Sequence, residues 1–262
     1  METATIEGLI SINAVIAAQS RPVYKIYIDH QREREYLNDR ERGRIDRDML
    51  RLDQAVKSGN IPVVRVNAEQ LDRMTDGSTH GGLVAVVGER KTVTLADLTQ
   101  PANKHLTPFI VMLDGVEDPF NFGQAIRALY ACGATGLIVR PRNWMSAAAI
   151  VARSSGGASE LISMAVVEDP IEAMTTLRGL GLKIVVLDKT DDAIPLTQAN
   201  LRDSIFVIIG GEKRGVSKAV LALADANIKI PYGRHFRQSL GTTSAAAILG
   251  YEVMRQRRVE GY

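Results

Sequence analysis

Apolar residues recur along the chain with two different periods, and the switches between them mark out the elements. In residues 5–19, TIEGLISINAVIAAQ, the positions Ile6, Leu9, Ile10 and Ile12 fall near helical spacing and predict a first helix, ended by Ser20-Arg21-Pro22. VYKIYID then alternates apolar and polar positions, as a half-buried strand does. Helical spacing returns at Ile45, Met49, Leu52 and Val56, giving one apolar stripe under a heavily charged outer face. IPVVRVN and LVAVVGER read as strands, AEQLDRMT as a short helix and DGSTHGG as a polar turn. Together they make a small α/β module over residues 1–96. The Pro, Asn and Thr content of the following stretch suits a linker at 97–107.

From residue 108 to residue 262 the texture changes. FIVML, GLIVR, LISMAVV, KIVVLD, IFVIIG and NIKIPY are apolar along nearly their whole length. Between and after them lie the helix-like stretches GQAIRALYACG, WMSAAAIVARSS, PIEAMTTLRGLG, SKAVLALAD and AAAILGYEVMRQR. Strands without a polar face must be covered on both sides, so the expected fold class is α/β, with a mostly parallel sheet. Ligands of such sheets sit at the carboxyl ends of the strands, so the loops leaving those ends are the place to look for chemistry.

Composition narrows the picture. In 262 residues, 45% hydrophobic and 24% charged content is that of a soluble globular chain with a sizeable core. The formal charge of +2 does not announce a nucleic-acid partner, because phosphate binding requires local clusters. One candidate cluster lies between Arg32 and Lys57, where eight Lys/Arg face seven Asp/Glu. It reads either as a solvated helix laced with i,i+4 pairs or as an arginine-rich surface facing RNA. The longest apolar runs have strand length, and METATIEGLI lacks a basic region followed by an apolar one. The expectation is a cytoplasmic protein with neither a membrane span nor a signal segment. Cys132 is the sole cysteine, which excludes an internal disulfide and a cysteine-rich zinc site; it reads as a small core residue, and no metal site is expected.

Three strand-ending loops carry candidate chemistry. In LDGVEDPFNFGQAIRAL, Asp114-Gly115 turns the chain, Asn121 is expected just before a helix, and Arg127 projects from its second turn. A capping Asn or Asp with an ordinary helix arginine explains the same residues. In VIIGGEKRGVSKAV, the pair Gly210-Gly211 lets the backbone approach a ligand and sets Glu212 at the sheet edge; a tight turn with solvated charges is the alternative. The pattern GxxxxGK[ST] is absent, which removes support for nucleoside triphosphate binding. In KIPYGRHFRQSLGTTSAAA, a basic loop with Arg234, His235 and Arg237 precedes Thr242, Thr243 and Ser244, which are good N-cap candidates for the last helix.

In order and content these loops resemble the motifs of the SpoU-type (TrmH-like) RNA 2′-O-methyltransferases of the trefoil-knotted SPOUT superfamily. LDGVEDPFNFGQAIRAL is similar to the first motif, N-x-G-x-x-x-R following DP; IIGGEKRGV to the second, I-G-x-E-x-x-G; and IKIPYGRHFRQSLGTTSAAAI to the third, I-P followed by S-L-N-V-S-x-A. The resemblance covers residues 108–257, and the first hundred residues resemble the ribosomal-protein-like RNA-binding domain that often precedes such a domain. It implies a C-terminal knot, a homodimer, S-adenosylmethionine as cofactor, and methyl transfer to a ribose 2′-hydroxyl of ribosomal or transfer RNA. By position, Leu187, Gly210, Gly211, Ile230, Leu240 and Thr242 match cofactor-binding sites. Arg127, Asn121, Glu212 and Ser239 match the catalytic and structural polar residues, and Arg234 and Arg237 are expected to meet RNA.

Methyl transfer from a sulfonium is an in-line displacement, so positioning dominates and removal of the hydroxyl proton is the second task. A guanidinium is a poor base, so Arg127 is expected to hold the target phosphate and favour the alkoxide. Glu212 either orients Arg127 or a loop amide, or makes a structural hydrogen bond. One departure stands out: Gly241 occupies the place of the third motif's Asn. That change leaves two readings open, a working RNA 2′-O-methyltransferase and a catalytically weakened knot protein that binds structured RNA, for example in ribosome assembly.

Overall fold

The computed structural model describes residues 2–75, 79–101, 107–141, 146–211 and 215–257. The chain divides into two compact units, the first formed by Met1–Lys91 with Asn143–Leu161 and the second by Thr92–Arg142 with Ile162–Tyr262.

The first unit holds a sheet of order β1-β4-β2-β3, built from β1 (Ala4–Glu7), β2 (Val23–Asp29), β3 (Val63–Val66) and β4 (Leu83–Val87). β4 runs antiparallel to both its neighbours, while β2 and β3 are parallel. The expected helix over 5–19 is corrected here: Ala4–Glu7 is a strand, and the helix α1 spans Leu9–Ala18. Gly8 separates the two with φ of 80°, a left-handed conformation that glycine adopts without a Cβ penalty. The charged stretch forms two helices, α2 (His30–Glu41) and α3 (Arg47–Gly59), each capped by the aspartate before it. Met49 and Leu52 of α3 are buried as their spacing predicts, whereas Ile45 lies between the helices, 68% exposed. α4 (Ala68–Asp72) follows β3 behind a capping box from Asn67. Two short helices from the later insertion, α7 (Ala148–Ser154) and α8 (Ala158–Leu161), complete this unit. Ala148 and Ala152 join Ile6, Ile12, Ile26 and Leu83 in its core.

The second unit is built on a seven-stranded sheet of order β7-β6-β5-β10-β8-β11-β9, with every neighbouring pair parallel. The strands are β5 (Phe109–Asp114), β6 (Gly136–Val139), β7 (Ser163–Val166), β8 (Lys183–Leu187), β9 (Ile194–Pro195), β10 (Ile205–Gly210) and β11 (Ala226–Lys229). Ile110, Met112, Ile184, Val186, Phe206 and Ile208 point to one face. They pack there with Leu98 of α5 (Leu95–Leu98), Met174 and Leu177 of α9 (Pro170–Gly179) and Val220 of α10 (Lys218–Leu223). By the two-residue alternation of a strand, Phe109, Val111 and Leu113 point to the opposite face. Helices α6 (Pro119–Ala131) and α11 (Thr242–Gln256) pack against each other, and α11 also contacts β10. Just beyond α11, Arg257 donates to the carbonyls of Leu201 and Thr107 at 2.8 Å each, to Pro108 at 3.2 Å, and to Asp203. Burial draws its guanidinium down to about 10, the cost of tying the end of the last helix to the strand-entry loops.

Candidate active site

Three adjacent strands deliver their carboxyl ends to one cleft. Leu187 ends β8, and in register it is flanked by Ile209 of β10 and Ile228 of β11. The loops that leave these strands supply the walls, so a cleft of about 150 Å³ gathers Leu187, Gly210, Gly211, Ile230, Ser239, Leu240 and Thr242. Seven of the residues singled out in the sequence therefore meet in one place, though they come from three separate stretches.

The two glycines are there for space. A Cβ on Gly210 would stand 2.5 Å from the Gly215 carbonyl carbon, and one on Gly211 would overlap the Gly115 carbonyl. The Gly211 amide donates to the Asp114 carbonyl at 2.6 Å, and the Gly215 amide donates to the Gly211 carbonyl at 3.0 Å, closing the loop at its base. Glu212 lies outside the described residues. On the β5 side, the Asp114 carboxylate takes two bonds from Arg140, at 2.7 and 3.4 Å, which holds the end of that strand.

Asn121 and Arg127 do not line this cleft. The helix starts earlier than its sequence suggests: Asp118 is the cap, accepting from the Phe120 and Asn121 amides at 3.4 and 3.0 Å, and Pro119 takes the first turn where no donor is needed. Asn121 is therefore inside α6, half-buried, and not before it. Arg127 is exposed on the outer face of α6. The expected hydroxyl caps of the last helix are also corrected. Gly241 is the N-cap of α11, with no side-chain capping bond, and Thr243 donates instead to the Asn121 carbonyl at 3.3 Å, linking the first and third loops. Arg234 and Arg237 are exposed in the loop that precedes α11.

Several lining residues belong to no motif of the sequence. Asp188 and Lys189 follow β8, Lys229 ends β11, Tyr232 stands three positions beyond it, and Gly215 and Ala245 complete the wall. Asp188 accepts from the Lys189 amide at 2.6 Å and from the Val216 amide at 3.4 Å. The two lysines are drawn aside: the Lys229 ammonium donates to the Thr190 and Asp191 carbonyls at 3.3 and 3.1 Å, and that of Lys189 to the Phe236 carbonyl at 2.7 Å. Both ammonium groups are held by main-chain oxygens and keep their charge, so among the described residues the cleft presents apolar walls, peptide groups, hydroxyls, one carboxylate and two ammonium groups. The signal that points to these residues is position alone, the first places after an apolar strand in a parallel sheet.

A glycine-built cleft at the carboxyl edge of an all-parallel sheet defines an α/β domain of the class that holds a small organic ligand across its strand ends. Residues 108–251 match the SpoU rRNA Methylase family, and residues 5–93 match the RNA 2'-O ribose methyltransferase substrate binding family. The chain belongs to the SpoU rRNA Methylase family. It is 30% identical over 205 residues to an uncharacterized tRNA/rRNA methyltransferase of Mycolicibacterium paratuberculosis, a match that covers 78% of this chain and 65% of that protein. It therefore spans just under two thirds of that relative. It is also 30% identical over 216 residues to the 23S rRNA (guanosine-2'-O-)-methyltransferase RlmB of Shewanella oneidensis, covering 82% of this chain and 87% of the relative. The crystal structure of the SpoU methyltransferase AviRb from Streptomyces viridochromogenes, in complex with the cofactor AdoMet, superposes with a TM-score of 0.75 at 22% identity, covering 98% of this chain and 91% of that one. Among the described residues, no helix is long and apolar enough to cross a membrane.

Proposed function

We propose that this protein is a homodimeric, cytoplasmic, S-adenosylmethionine-dependent RNA 2′-O-methyltransferase acting on ribosomal or transfer RNA. The observation that carries the reading is the cleft itself: the second and third motif loops, which leave β10 and β11, converge there with the end of β8, a strand that lies between those two in the sheet. The cofactor fits what lines it. Leu187, Ile209, Ile230 and Leu240 offer flat apolar contact to a purine, and the loops contribute peptide groups. The described lining carries both signs of charge, the Asp188 carboxylate and the Lys189 and Lys229 ammonium groups, which suits a ligand that itself bears both. S-adenosylmethionine, when bound, supplies an electrophilic methyl group. The chain's own residues do the rest. The strand ends fix the donor's place, Ser239 meets the substrate from the exposed side of the cleft, and Arg127 holds the target phosphate and favours the developing alkoxide. Arg234 and Arg237 add positive charge beside the cleft for the RNA backbone. We assign Asn121 a part in joining the first and third loops, through the carbonyl that accepts from Thr243. Glu212 is assigned to the orientation of the same site by its motif position.

Supporting the homodimer, α6 and α11 present Phe120, Tyr130, Ile248, Tyr251 and Met254 outward, all exposed. The C-terminal knot belongs to the same reading, and the non-sequential order β5-β10-β8-β11 is its support.

The decisive assay is transfer of labelled methyl from S-adenosylmethionine to ribosomal or transfer RNA, with 2′-O-methyl mapping of the product. Arg127→Ala is expected to lower kcat by about 10²–10³-fold with the fold intact; unchanged transfer would refute the role given to Arg127. Absence of both cofactor binding and transfer in the wild type would favour the RNA-binding reading, which Gly241 in place of the motif Asn keeps alive.

A further inference from the structure

Among the described residues, little holds the segment between β11 and α11. Residues 233–239 are exposed throughout, and its one large apolar side chain, Phe236, is 54% exposed. A chain of Gly, Arg, His, Arg, Gln and Ser at this length should sample many conformations unless it is tied down. Among the described residues, two side chains tie it. The Tyr232 hydroxyl donates to the Gln238 carbonyl at 3.3 Å and accepts from the Leu240 amide at 3.0 Å, joining the foot of the loop to its far end. Lys189, reaching over from the end of β8, sets its ammonium 4.4 Å from the centre of the Tyr232 ring and donates to the Phe236 carbonyl at 2.7 Å. The Tyr232 ring also lies tilted beside that of Phe236, with centroids 6.3 Å apart.

Lys189 and Tyr232 line the same cleft as Ser239 and Leu240. We propose that Lys189 and Tyr232 are a pair of positioning residues, a clamp that holds the 232–240 loop in the form that binds S-adenosylmethionine and presents Ser239 to the substrate. This rests on the cofactor reading given above. The clamp's logic is that each partner needs the other. The cation over the ring fixes the phenol, the phenol fixes Gln238 and Leu240, and the ammonium fixes the loop at Phe236. The tyrosine also occupies the Leu240 amide, so a ligand meets that residue through its side chain and carbonyl.

The loop carries its own reporter, because Arg234 and Arg237 are exposed trypsin sites within it. The experiment uses the full chain as wild type, Tyr232→Phe, Lys189→Met and the double variant. It measures the rate of cleavage after Arg234 and Arg237 by mass spectrometry, the affinity for S-adenosylmethionine by calorimetry, and the melting temperature. Tyr232→Phe keeps the ring and removes both hydroxyl bonds. It is expected to speed cleavage and weaken cofactor binding, each about five- to tenfold, with an unchanged melting temperature. The Lys189→Met effect should be similar, and the double variant should fall short of the product of the two because they act as a unit. S-adenosylmethionine should protect the wild-type loop from trypsin. Wild-type cleavage and affinity in Tyr232→Phe would overturn the clamp. A wild type that binds no S-adenosylmethionine would instead overturn the cofactor reading, and is recognised separately because the cleavage assay needs no ligand.

Discussion

Glu160 is a carboxylate held where water does not reach it, 3% exposed, and its neighbours decide whether that is a cost or a constraint. Ser20 donates to it at 2.7 Å, the Arg21 Nε lies 3.2 and 3.1 Å from its two oxygens, and Arg90 approaches to 3.4 Å. Burial pushes the Glu160 carboxyl up, but the Arg90 and Arg21 charges and the bonds from Arg21 and Ser20 outweigh it, leaving the group below the ordinary 4.5. A carboxylate whose folded pKa is depressed contributes stability that is present above its unfolded pKa and lost as pH falls through the folded value. The first unit should therefore lose stability below about pH 4.5. Removing one partner of a buried pair leaves an uncompensated charge, so Glu160→Gln should cost about 3–5 kcal/mol at neutral pH and flatten the acid limb. Denaturant unfolding of both proteins between neutral pH and the acid limb checks this, and a variant that keeps the wild-type pH profile would remove Glu160 from the account. Nothing in the sequence pointed to this residue, because a buried carboxylate has no pattern of its own and its partners lie about 70 and 140 positions away.

The contact between α6 and α11 turns on one glycine. A Cβ on Gly250 would stand 2.9 Å from the Cys132 Cβ and 3.3 Å from its sulfur, so the helices meet there without a side chain between them. Two effects compete in Gly250→Ala. Helix propensity favours alanine by about 1 kcal/mol, whereas overpacking at a backbone-proximal atom costs about 1–3 kcal/mol. The net expectation is a loss of about 1 kcal/mol, read as a lower denaturant midpoint with an unchanged slope. Cys132→Gly in the same background should restore it, while Cys132→Ala should not, since the nearest atom is the Cβ. The legibility of the elements follows the same physics. β5, β8 and β10 could be read directly because strands buried on both faces are apolar throughout. β1 could not: Ile6 lies close enough to the spacing of Leu9, Ile10 and Ile12 to merge with their helix, and only the left-handed Gly8 parts them. β9 has two residues and no period to show. The alanine-rich run at 148–154 is helical as expected, but small residues pack against any surface, so its place in the core of the first unit was not legible. In the cleft, the glycines and Leu240 were found through motif spacing, whereas Asp188, Lys189 and Tyr232 depend on a sheet order that only the fold reveals.

The outward faces of α6 and α11 bear on assembly. Ile248, Tyr251 and Met254 recur every three residues along α11 and share one face, and Phe120 and Tyr130 stand on the neighbouring helix with Arg127 between them in sequence. A set of exposed aromatic and aliphatic side chains on two packed helices is the composition of an interface centre rather than of a solvated face. If two copies meet there, the guanidinium assigned to the target phosphate lies within the contact face, between Phe120 and Tyr130, and assembly and catalysis become coupled. Sedimentation should find a dimer at micromolar concentration. Tyr251→Glu, which would bury a charge at the centre of the contact, should weaken association by about 30-fold or more. The cofactor cleft is formed by other loops, so the monomeric variant should still bind S-adenosylmethionine while transferring methyl groups slowly. A monomeric wild type would remove the dimer from the proposal. A Tyr251→Glu monomer with full activity would leave the cleft reading intact and show that Arg127 works without a partner.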